Sequence, residues 1–356
     1  MNGITKKVVA SAPNKIHVAG EHSIVYGGRA LMAPVEVNGR RNFVAVQKFS
    51  GYPRLYFQGD PLGSATLKPD GTRQGNEVWF PLLEEAQHVF KKSSFKLAKP
   101  VLARREFSGA PKGTGNSASI SAAFALALFE YCGKTPSREQ LFDAAFIGDD
   151  AWHGGRSSGG DVAAVLSDCA LELHKEFDAS APNGFRMVYE NACLALPEGC
   201  VLSLVSSMDA SRKCANTAEL TAVWRNSHGI RCGASELSAG ERKRVTREYD
   251  EVVEEIKKEL HAKGDAKRLG ELLSKNHSLL ARDGVSTPQI ESIRAISKTN
   301  GALGAKLIGA GGTGGAVIIL SKENVQTQIL RAVRKVGYES FELKFAEKGA
   351  CLESKE

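Results

Sequence analysis

Strand-like and helix-like segments follow one another along this chain without regular strand–helix–strand alternation, and this order limits the fold class more than any other feature. The first half begins with short apolar runs separated by turns, and the second half has helical patterns at about 239–262, 266–281 and 288–299. A strand-like AVIIL, a further helix and a final strand follow. Since a parallel α/β sheet requires regular alternation, the sequence predicts an α+β fold in both halves.

The length of the chain and one turn suggest where it divides. A chain of 356 residues exceeds a single small core and is long enough for two domains. A new strand-like run, CVLSLVSS, begins after the turn at Pro197–Gly199. We therefore predict an N-terminal domain over 1–195 and a C-terminal domain over 196–356.

Composition and charge exclude several classes of protein. Hydrophobic residues make up 42% and charged residues 24%, as in ordinary globular proteins. No apolar run approaches the roughly 20 residues of a membrane span, and the N-terminal stretch lacks the apolar core of a secretory signal. Seven cysteines without a C-x-x-C pair indicate free thiols. These features predict a cytoplasmic protein with no membrane partner.

The net charge of +7 raises the question of a nucleic-acid partner. No basic stretch is rich in aromatic residues, and the Lys/Arg run in GERKRVTREYDEVVEEIKKEL alternates with acidic residues at helical spacing. This alternation is typical of a solvated helix face with i,i+4 pairs. We expect no nucleic-acid partner, because the positive net charge is the only feature that points to nucleic acid, and charge alone is a poor indicator of nucleic-acid binding.

The stretch PKGTGNSAS (111–119) precedes a small, apolar run predicted to form a buried helix. Unpaired N–H groups at a helix N-terminus favour an anion, and glycine lets the backbone approach it closely. Gly113 and Gly115 would supply the backbone positions, and Ser117 and Ser119 the hydroxyls. A serine-capped turn into a core helix explains the stretch as well, and no G-K-[ST] ends it.

Two further clusters carry ionisable residues. GGRSSGGD ends at Asp161 before an apolar helix, where a carboxylate could deprotonate an attacking hydroxyl or could simply cap the helix. APNKIHVAGEHSIVYGG places Lys15, Glu21 and His22 among strand-like apolar residues. A lysine near Asp161 would keep that carboxylate ionised, and His22 alone is equally explained as a hydrogen-bonded core imidazole.

A fourth cluster, KLIGAGGTGGAVIIL, could close over phosphates or could join a helix to a strand. These four stretches, in their order along the chain, resemble the GHMP kinases, a family that includes galactokinase, homoserine kinase, mevalonate kinase and phosphomevalonate kinase. The E-H-x-x-V-Y-G form within APNKIHVAGEHSIVYGG is most similar to the mevalonate kinase branch, and residues 276–320 resemble that branch across their length.

The resemblance implies a two-domain GHMP kinase fold, with an N-terminal domain like domain 2 of ribosomal protein S5 and a ferredoxin-like C-terminal domain. It implies that ATP with Mg²⁺ donates its γ-phosphoryl group to the 5-hydroxyl of mevalonate, and it makes a homodimer plausible. Lys15 and Asp161 would be catalytic, while Glu21, His22 and Thr217 would serve the mevalonate site. The implied ATP-binding residues are Pro111, Lys112, Gly113, Thr114, Gly115, Asn116, Ser117, Ala118, Ser119, Gly311 and Gly312.

Two departures from the family's patterns affect the implied phosphate loop (residues 111–119, called the phosphate loop below) and the implied metal site. In the pattern P-x-G-x-G-L-G-S-S-A, four positions differ, which predicts an altered nucleotide geometry: Asn116, Ser117, Ala118 and Ile120 replace Leu, Gly, Ser and Ala. In H-G-x-P-S-G-x-D, the chain has one extra residue and no proline. The magnesium-binding acid therefore falls on Asp149 counted from His153, or on Asp150 counted from Asp161. We favour Asp150, together with Ser119, as the metal ligands.

Other functions remain open at the level of sequence. Phosphomevalonate kinase and diphosphomevalonate decarboxylase are related enzymes, and the unusual middle motifs fit either. A non-catalytic GHMP-fold sensor is the alternative from another class. Such a sensor can lose its catalytic base, whereas this chain has both Lys15 and Asp161.

Overall fold

Two β-sheets, each carrying helices, form the architecture of this protein. The computed structural model describes residues 7–48, 54–57, 64–68, 70–84, 101–106, 108–155, 157–178, 180, 184–207 and 217–356. The strands are β1 (Lys7–Ala12), β2 (Asn14–Ala19), β3 (Ala30–Val37), β4 (Asn42–Lys48), β5 (Arg54–Phe57), β6 (Ala65–Leu67), β7 (Arg73–Gly75), β8 (Val101–Glu106), β9 (Ala170–Phe177), β10 (Phe185–Ala192), β11 (Cys200–Ser206), β12 (Gly304–Ile308), β13 (Ala316–Lys322), β14 (Glu339–Phe345) and β15 (Cys351–Lys355). The α+β prediction is confirmed.

The helices lie mostly where the sequence predicts them. They are α1 (Asn116–Tyr131), α2 (Arg138–Trp152), α3 (Gly160–Leu166), α4 (Thr217–Ser227), α5 (Ala239–His261), α6 (Ala266–Arg282), α7 (Pro288–Thr299) and α8 (Glu323–Lys335). Helix α2 begins with a serine cap, since Gln140 N donates to Ser137 Oγ and Ser137 N donates back to the Gln140 side chain. The buried helix predicted after residues 111–119 is α1, which is buried along almost its whole length.

The first sheet has the strand order β15-β1-β4-β8-β5-β6-β7, and α1 packs over it, with α2 on the other side of α1. The second has the order β10-β9-β3-β14-β11-β13-β12, with β2 pairing beside β3. Helices α5 and α6 pack against the second sheet through apolar residues such as Val252, Val253 and Leu272. Every described strand pair is antiparallel except β5 with β8, which is parallel.

Both sheets combine strands from the two halves of the chain. In the second sheet, β3 pairs with β14, and in the first sheet β1 pairs with β15. The predicted boundary at 196 therefore stays a prediction, because hydrogen-bonded strands from either side of it lie in the same sheets. The free thiols are confirmed for the six described cysteines, while Cys214 lies outside the described residues.

Candidate active site

Strand β2 and the start of α3 bring the predicted lysine and aspartate together. Lys15 Nζ lies 3.0 Å from Asp161 Oδ1. Asp161 is in the first turn of α3, two residues after the N-cap Gly159, which adopts a left-handed conformation with φ 77°. The lysine side chain is 4% exposed and the aspartate 23%, so the carboxylate stays accessible from outside the pair. The arrangement can accept a proton at a carboxylate that an ammonium stabilises.

The 111–119 stretch lies against the same lysine. Lys15 N donates to Thr114 O over 2.9 Å, which places the loop alongside β2. Gly115 has φ +68°, and a Cβ on it would lie 2.7 Å from Lys15 Cγ, so the lysine stem needs glycine there. Helix α1 begins at the next residue without a side-chain cap. Its first amide groups are thus available to an anion.

The departures from the family pattern are accommodated by an asparagine pair. Asn14 Nδ2 donates to Asn116 Oδ1 over 2.8 Å and to Thr114 O over 3.2 Å. Asn116 Nδ2 in turn donates to Ala110 O over 3.0 Å. The loop that lacks the family's leucine and third glycine is therefore fixed to β2 by side-chain amides.

Asp149, near the end of α2, faces the phosphate loop. Its Oδ1 accepts from Ser117 Oγ over 2.7 Å and its Oδ2 accepts from Ser157 Oγ over 2.6 Å, while His153 Nε2 lies 3.5 Å away. Burial opposes ionisation of this fully buried carboxyl, but the hydrogen bonds from His153, Ser157 and Ser117 outweigh it and lower the pKa of Asp149. A carboxylate with an adjacent hydroxyl supplies the oxygen ligands that Mg²⁺ prefers.

The sequence-based choices of Asp150 and Ser119 as metal ligands are not favoured by the contacts. Asp150 Oδ1 accepts from the backbone N of Ser157 over 2.9 Å and so holds the loop. Ser119 Oγ donates to Ala12 O over 3.0 Å and accepts from Asn42 Nδ2 over 2.9 Å, inside the core. The physical reason is direction along α1 and α2: Ser117 and Asp149 face each other, and their neighbours do not.

The remaining residues of the predicted ATP stretch serve the loop itself or lie at its surface. Pro111 O accepts from Thr114 Oγ1 over 2.7 Å, which closes the turn. Lys112 is exposed, and Ala118 is buried in the first turn of α1. The stretch thus presents backbone and one lysine outwards and keeps its threonine and serine side chains inside.

The glycine turn at 309–314 lies opposite the phosphate loop at 111–119. A Cβ on Gly309 would lie 3.5 Å from Gly113 Cα, so the two turns approach each other closely. Gly311 has φ +72°, and a Cβ there would lie 2.4 Å from Val285 O. Gly312 N donates to that same carbonyl over 2.9 Å. The tight turn explains Gly311 and Gly312 by packing, and it also brings this cluster to the phosphate loop.

His22 is a buried imidazole with a defined hydrogen bond. Its Nε2 donates to Ala310 O over 3.0 Å, and its ring stacks on Trp224 with 6.5 Å between ring centroids. Burial lowers the pKa of His22 to about 4. The imidazole is therefore neutral at physiological pH and joins the APNKIHVAGEHSIVYGG stretch to the glycine turn at 309–314.

Glu21 pairs with Lys306 of β12 in the interior, where both side chains are buried. Burial raises the pKa of Glu21 and lowers that of Lys306, and their mutual contact opposes both shifts. Glu21 Oε2 is buried and has no hydrogen-bond partner among the described residues. Thr217, the other residue predicted for the mevalonate site, is exposed at the start of α4 and directly follows residues that the structure does not describe.

Sequence reasoning missed three residues of this region: His17, Lys306 and Trp224. His17 Nδ1 lies 3.2 Å from Lys15 Nζ. The spacing of two residues in a predicted strand indicates a shared face with Lys15 and could have identified it. Lys306, a lone lysine in the apolar run GAKLI, was the corresponding signal for a buried partner. Nothing in the sequence indicates that Trp224 contacts His22.

Two features of the described part of the chain limit what else it can hold. It contains no group of three or more His, Cys, Asp or Glu side chains able to hold a metal ion by themselves. A Mg²⁺ ion at Asp149 and Ser117 would therefore need further ligands, such as phosphate oxygens and water. The same residues include no helix with the length and apolar character that crossing a membrane requires.

Comparison with known proteins gives two family matches. Residues 105–168 match the GHMP kinases N-terminal domain, and residues 253–339 match the GHMP kinases C-terminal domain. A mevalonate kinase of Aeropyrum pernix is 30% identical over 351 residues, which cover 97% of this chain and 98% of that relative. The first match contains the phosphate loop, Asp149 and Asp161, and the second contains Lys306 and the glycine turn.

Solved structures share the fold. L. major mevalonate kinase in complex with R-mevalonate superimposes with a TM-score of 0.71 at 22% identity, covering 94% of this chain and 95% of that one. Lactococcus lactis galactokinase complexed with galactose also gives a TM-score of 0.71, at 17% identity and with 97% and 95% of the two chains covered. Structural likeness alone thus does not distinguish between acceptors.

Proposed function

This chain belongs to the GHMP kinase family, and from that premise we propose that it transfers the γ-phosphoryl group of ATP to the 5-hydroxyl of mevalonate. The family match and the alcohol kinases among its relatives support a phosphotransferase with an alcohol group as acceptor. Mevalonate as acceptor is supported by identity to the A. pernix mevalonate kinase along nearly the whole chain. The proposal places the enzyme in isoprenoid precursor synthesis.

One observation carries the chemistry: the 3.0 Å pair of Lys15 and Asp161 beside the phosphate loop. We propose that Asp161 accepts the proton of the acceptor hydroxyl as its oxygen attacks the γ-phosphorus. The bond from that phosphorus to the bridging oxygen breaks, and its electrons leave with ADP. Lys15 pairs with the carboxylate before the step and offsets negative charge that develops at the phosphoryl group.

The backbone at the start of α1 and the facing glycine turn form the proposed phosphate site. Gly113 and Gly309 let these two backbones approach the same space, and the uncapped helix end attracts negative charge. Asp149 and Ser117 fit Mg²⁺ by their donor atoms, and they would hold the ion there against the phosphates. When bound, Mg²⁺ would neutralise phosphate charge and orient the nucleotide.

For acceptor binding we propose Glu21, His22 and Thr217. The unpartnered Oε2 of Glu21 supports the first, because a buried carboxylate oxygen needs a donor such as a hydroxyl. The neutral His22 offers its Nδ1 as an acceptor, since Nε2 donates to Ala310 O. A cytoplasmic location and a homodimer remain predictions from the sequence.

The catalytic assignment is tested with Asp161→Asn. We expect turnover to fall by at least about a thousandfold, because the variant removes the proton acceptor and the partner of Lys15. Binding of ATP, measured by calorimetry, should change by no more than about threefold, since the ion pair that Asp161 makes is with Lys15 and not with residues 111–119 or 309–314. A variant with near-normal rates would show that Asp161 is not the base.

The acceptor is tested with a panel of mevalonate, 5-phosphomevalonate, 5-diphosphomevalonate, homoserine and galactose. ADP release is measured with ATP and Mg²⁺, and phosphorus NMR identifies the phosphorylated position. We expect mevalonate to be converted to its 5-phosphate with the highest kcat/KM. Preference for either phosphorylated acceptor would reassign the enzyme within the family, and no ADP with any acceptor would favour a non-catalytic ligand sensor.

A further inference from the structure

Lys15 Nζ faces three acceptors, and one of them belongs to a side chain that the proposed mechanism does not yet use. Asp161 Oδ1 is 3.0 Å away, His17 Nδ1 is 3.2 Å away and Gly113 O is 3.5 Å away. An ammonium group has three N–H donors and no acceptor, so the imidazole must accept at Nδ1. His17 therefore carries its proton on Nε2.

The surroundings of His17 keep the ring in that neutral form. Burial, together with the nearby positive charges of Lys15 and Lys306, holds the pKa of His17 well below its usual value, and His22 adds to the same effect. Lys306 Nζ lies 3.5 Å from His17 O and donates to Glu21. A charged imidazole would have two lysines as neighbours, which makes protonation unfavourable.

Strand geometry fixes where the imidazole points. Lys15 and His17 are two residues apart in β2, so their side chains leave the same face of the strand. The strand pairs with β3, with Lys15 opposite Pro34 and His17 opposite Met32. The imidazole and the ammonium are therefore held side by side by the backbone register.

We propose that His17 is a positioning residue that sets the direction of the Lys15 ammonium, an inference that rests on the proposed function. Its Nδ1 accepts one N–H of the ammonium, and because the imidazole is neutral, the ion pair of Lys15 with Asp161 is undisturbed. Asp161 holds the second N–H. The third is left with the longest contact, to Gly113 O, and so points along the phosphate loop. A phosphoryl oxygen arriving there replaces a weak partner, so the lysine need not leave its aspartate.

Three variants separate this role from simple packing. In His17→Asn, the side-chain oxygen occupies the δ position, as Nδ1 does, and can accept from Lys15. In His17→Gln, the acceptor is moved one bond further out, and His17→Leu has no acceptor. All three are compared with the wild type by kcat, by KM for each substrate and by thermal unfolding.

We expect His17→Leu and His17→Gln to lower kcat by about 10- to 100-fold, the loss typical of a misdirected catalytic group. KM for mevalonate should stay within about threefold, because His17 is not among the residues proposed to bind mevalonate. His17→Asn should recover kcat to within about threefold of the wild type. If His17→Leu does not fold, the comparison of the asparagine and glutamine variants decides.

The inference is overturned if a folded His17→Leu or His17→Gln keeps kcat within about twofold, or if His17→Asn is as impaired as His17→Gln. A loss of kcat that follows the unfolding temperature across all variants would also overturn it, since packing alone predicts that pattern. Failure of the proposed function is distinguishable, because the wild type itself would then release no ADP with mevalonate.

Discussion

At the scale of single residues, direction decides chemistry more than identity does. Asp149 and Asp150 are neighbours of the same type, yet one accepts from Ser117 and the other from the backbone of the following loop. The two side chains leave α2 about 100° apart, so only one of them can face α1. The serine that approaches the carboxylate, Ser117, stands where the family pattern has glycine.

This difference predicts separable effects of two matched substitutions. Asp149→Asn should weaken metal binding by at least about tenfold, while Asp150→Asn should change it by less than about threefold. Binding of Mn²⁺ as a probe, measured by electron paramagnetic resonance with a non-hydrolysable ATP analogue, reports this without turnover. A larger loss in Asp150→Asn would return the proposed metal site to the residue favoured by the sequence.

At the scale of elements, the phosphate loop is shaped by what it packs against. Gly113 and Gly115 both have positive φ, so both resist side chains to a similar degree. They differ in space: a Cβ on Gly115 would lie 2.7 Å from Lys15 Cγ, whereas one on Gly113 would find nothing nearer than Ile308 O at 3.9 Å. One glycine therefore serves the lysine, and the other serves the backbone alone.

The pair Gly115→Ala and Gly113→Ala tests this distinction. Both variants bear left-handed strain, but only the first displaces the catalytic lysine. We expect kcat of Gly115→Ala to be at least about tenfold below that of Gly113→Ala, with unfolding temperatures that are similar. Equal kcat values in the two variants would mean that the approach of Lys15 to the loop does not matter for turnover.

Element boundaries follow from local sequence to different degrees. The predicted helices at about 239–262, 266–281 and 288–299 correspond closely to α5, α6 and α7, because serine, aspartate and threonine caps and a helical apolar period define them. Strand β10 and helix α4 were not predicted. The exposed and half-buried residues of β10 give little alternation, and α4 buries only Leu220 and Trp224.

At the scale of the whole molecule, the two halves share both sheets and bury imidazoles between their elements. His22 and His277 have pKa values lowered to about 4 by burial, and the pKa of His17 is lowered in the same direction. His153 is opposite in sign, because its hydrogen bond with Asp149 raises its pKa. Summed over these four imidazoles, the native state therefore binds fewer protons than the unfolded chain below the usual histidine pKa of 6.5.

The sign of this linkage predicts that the free energy of unfolding decreases as the pH falls from about 7 to about 5. Each imidazole kept neutral contributes up to about 1.4 kcal/mol per pH unit, and His153 offsets part of the sum. Urea unfolding at several pH values measures the slope. In His277→Gln the slope should become shallower. An unchanged slope would show that His277 is not held neutral in the native protein.

By itself, the sequence determined the α+β class, the long helices, the glycine clusters and the resemblance that carries the function. These depend on spacing within a few residues or on whole motifs, and both are readable along the chain. Only the tertiary structure decided that Asp149 faces Ser117 and that Lys306 pairs with Glu21 across 285 positions. Contacts between residues so far apart depend on how sheets and helices pack, and no local pattern contains that geometry.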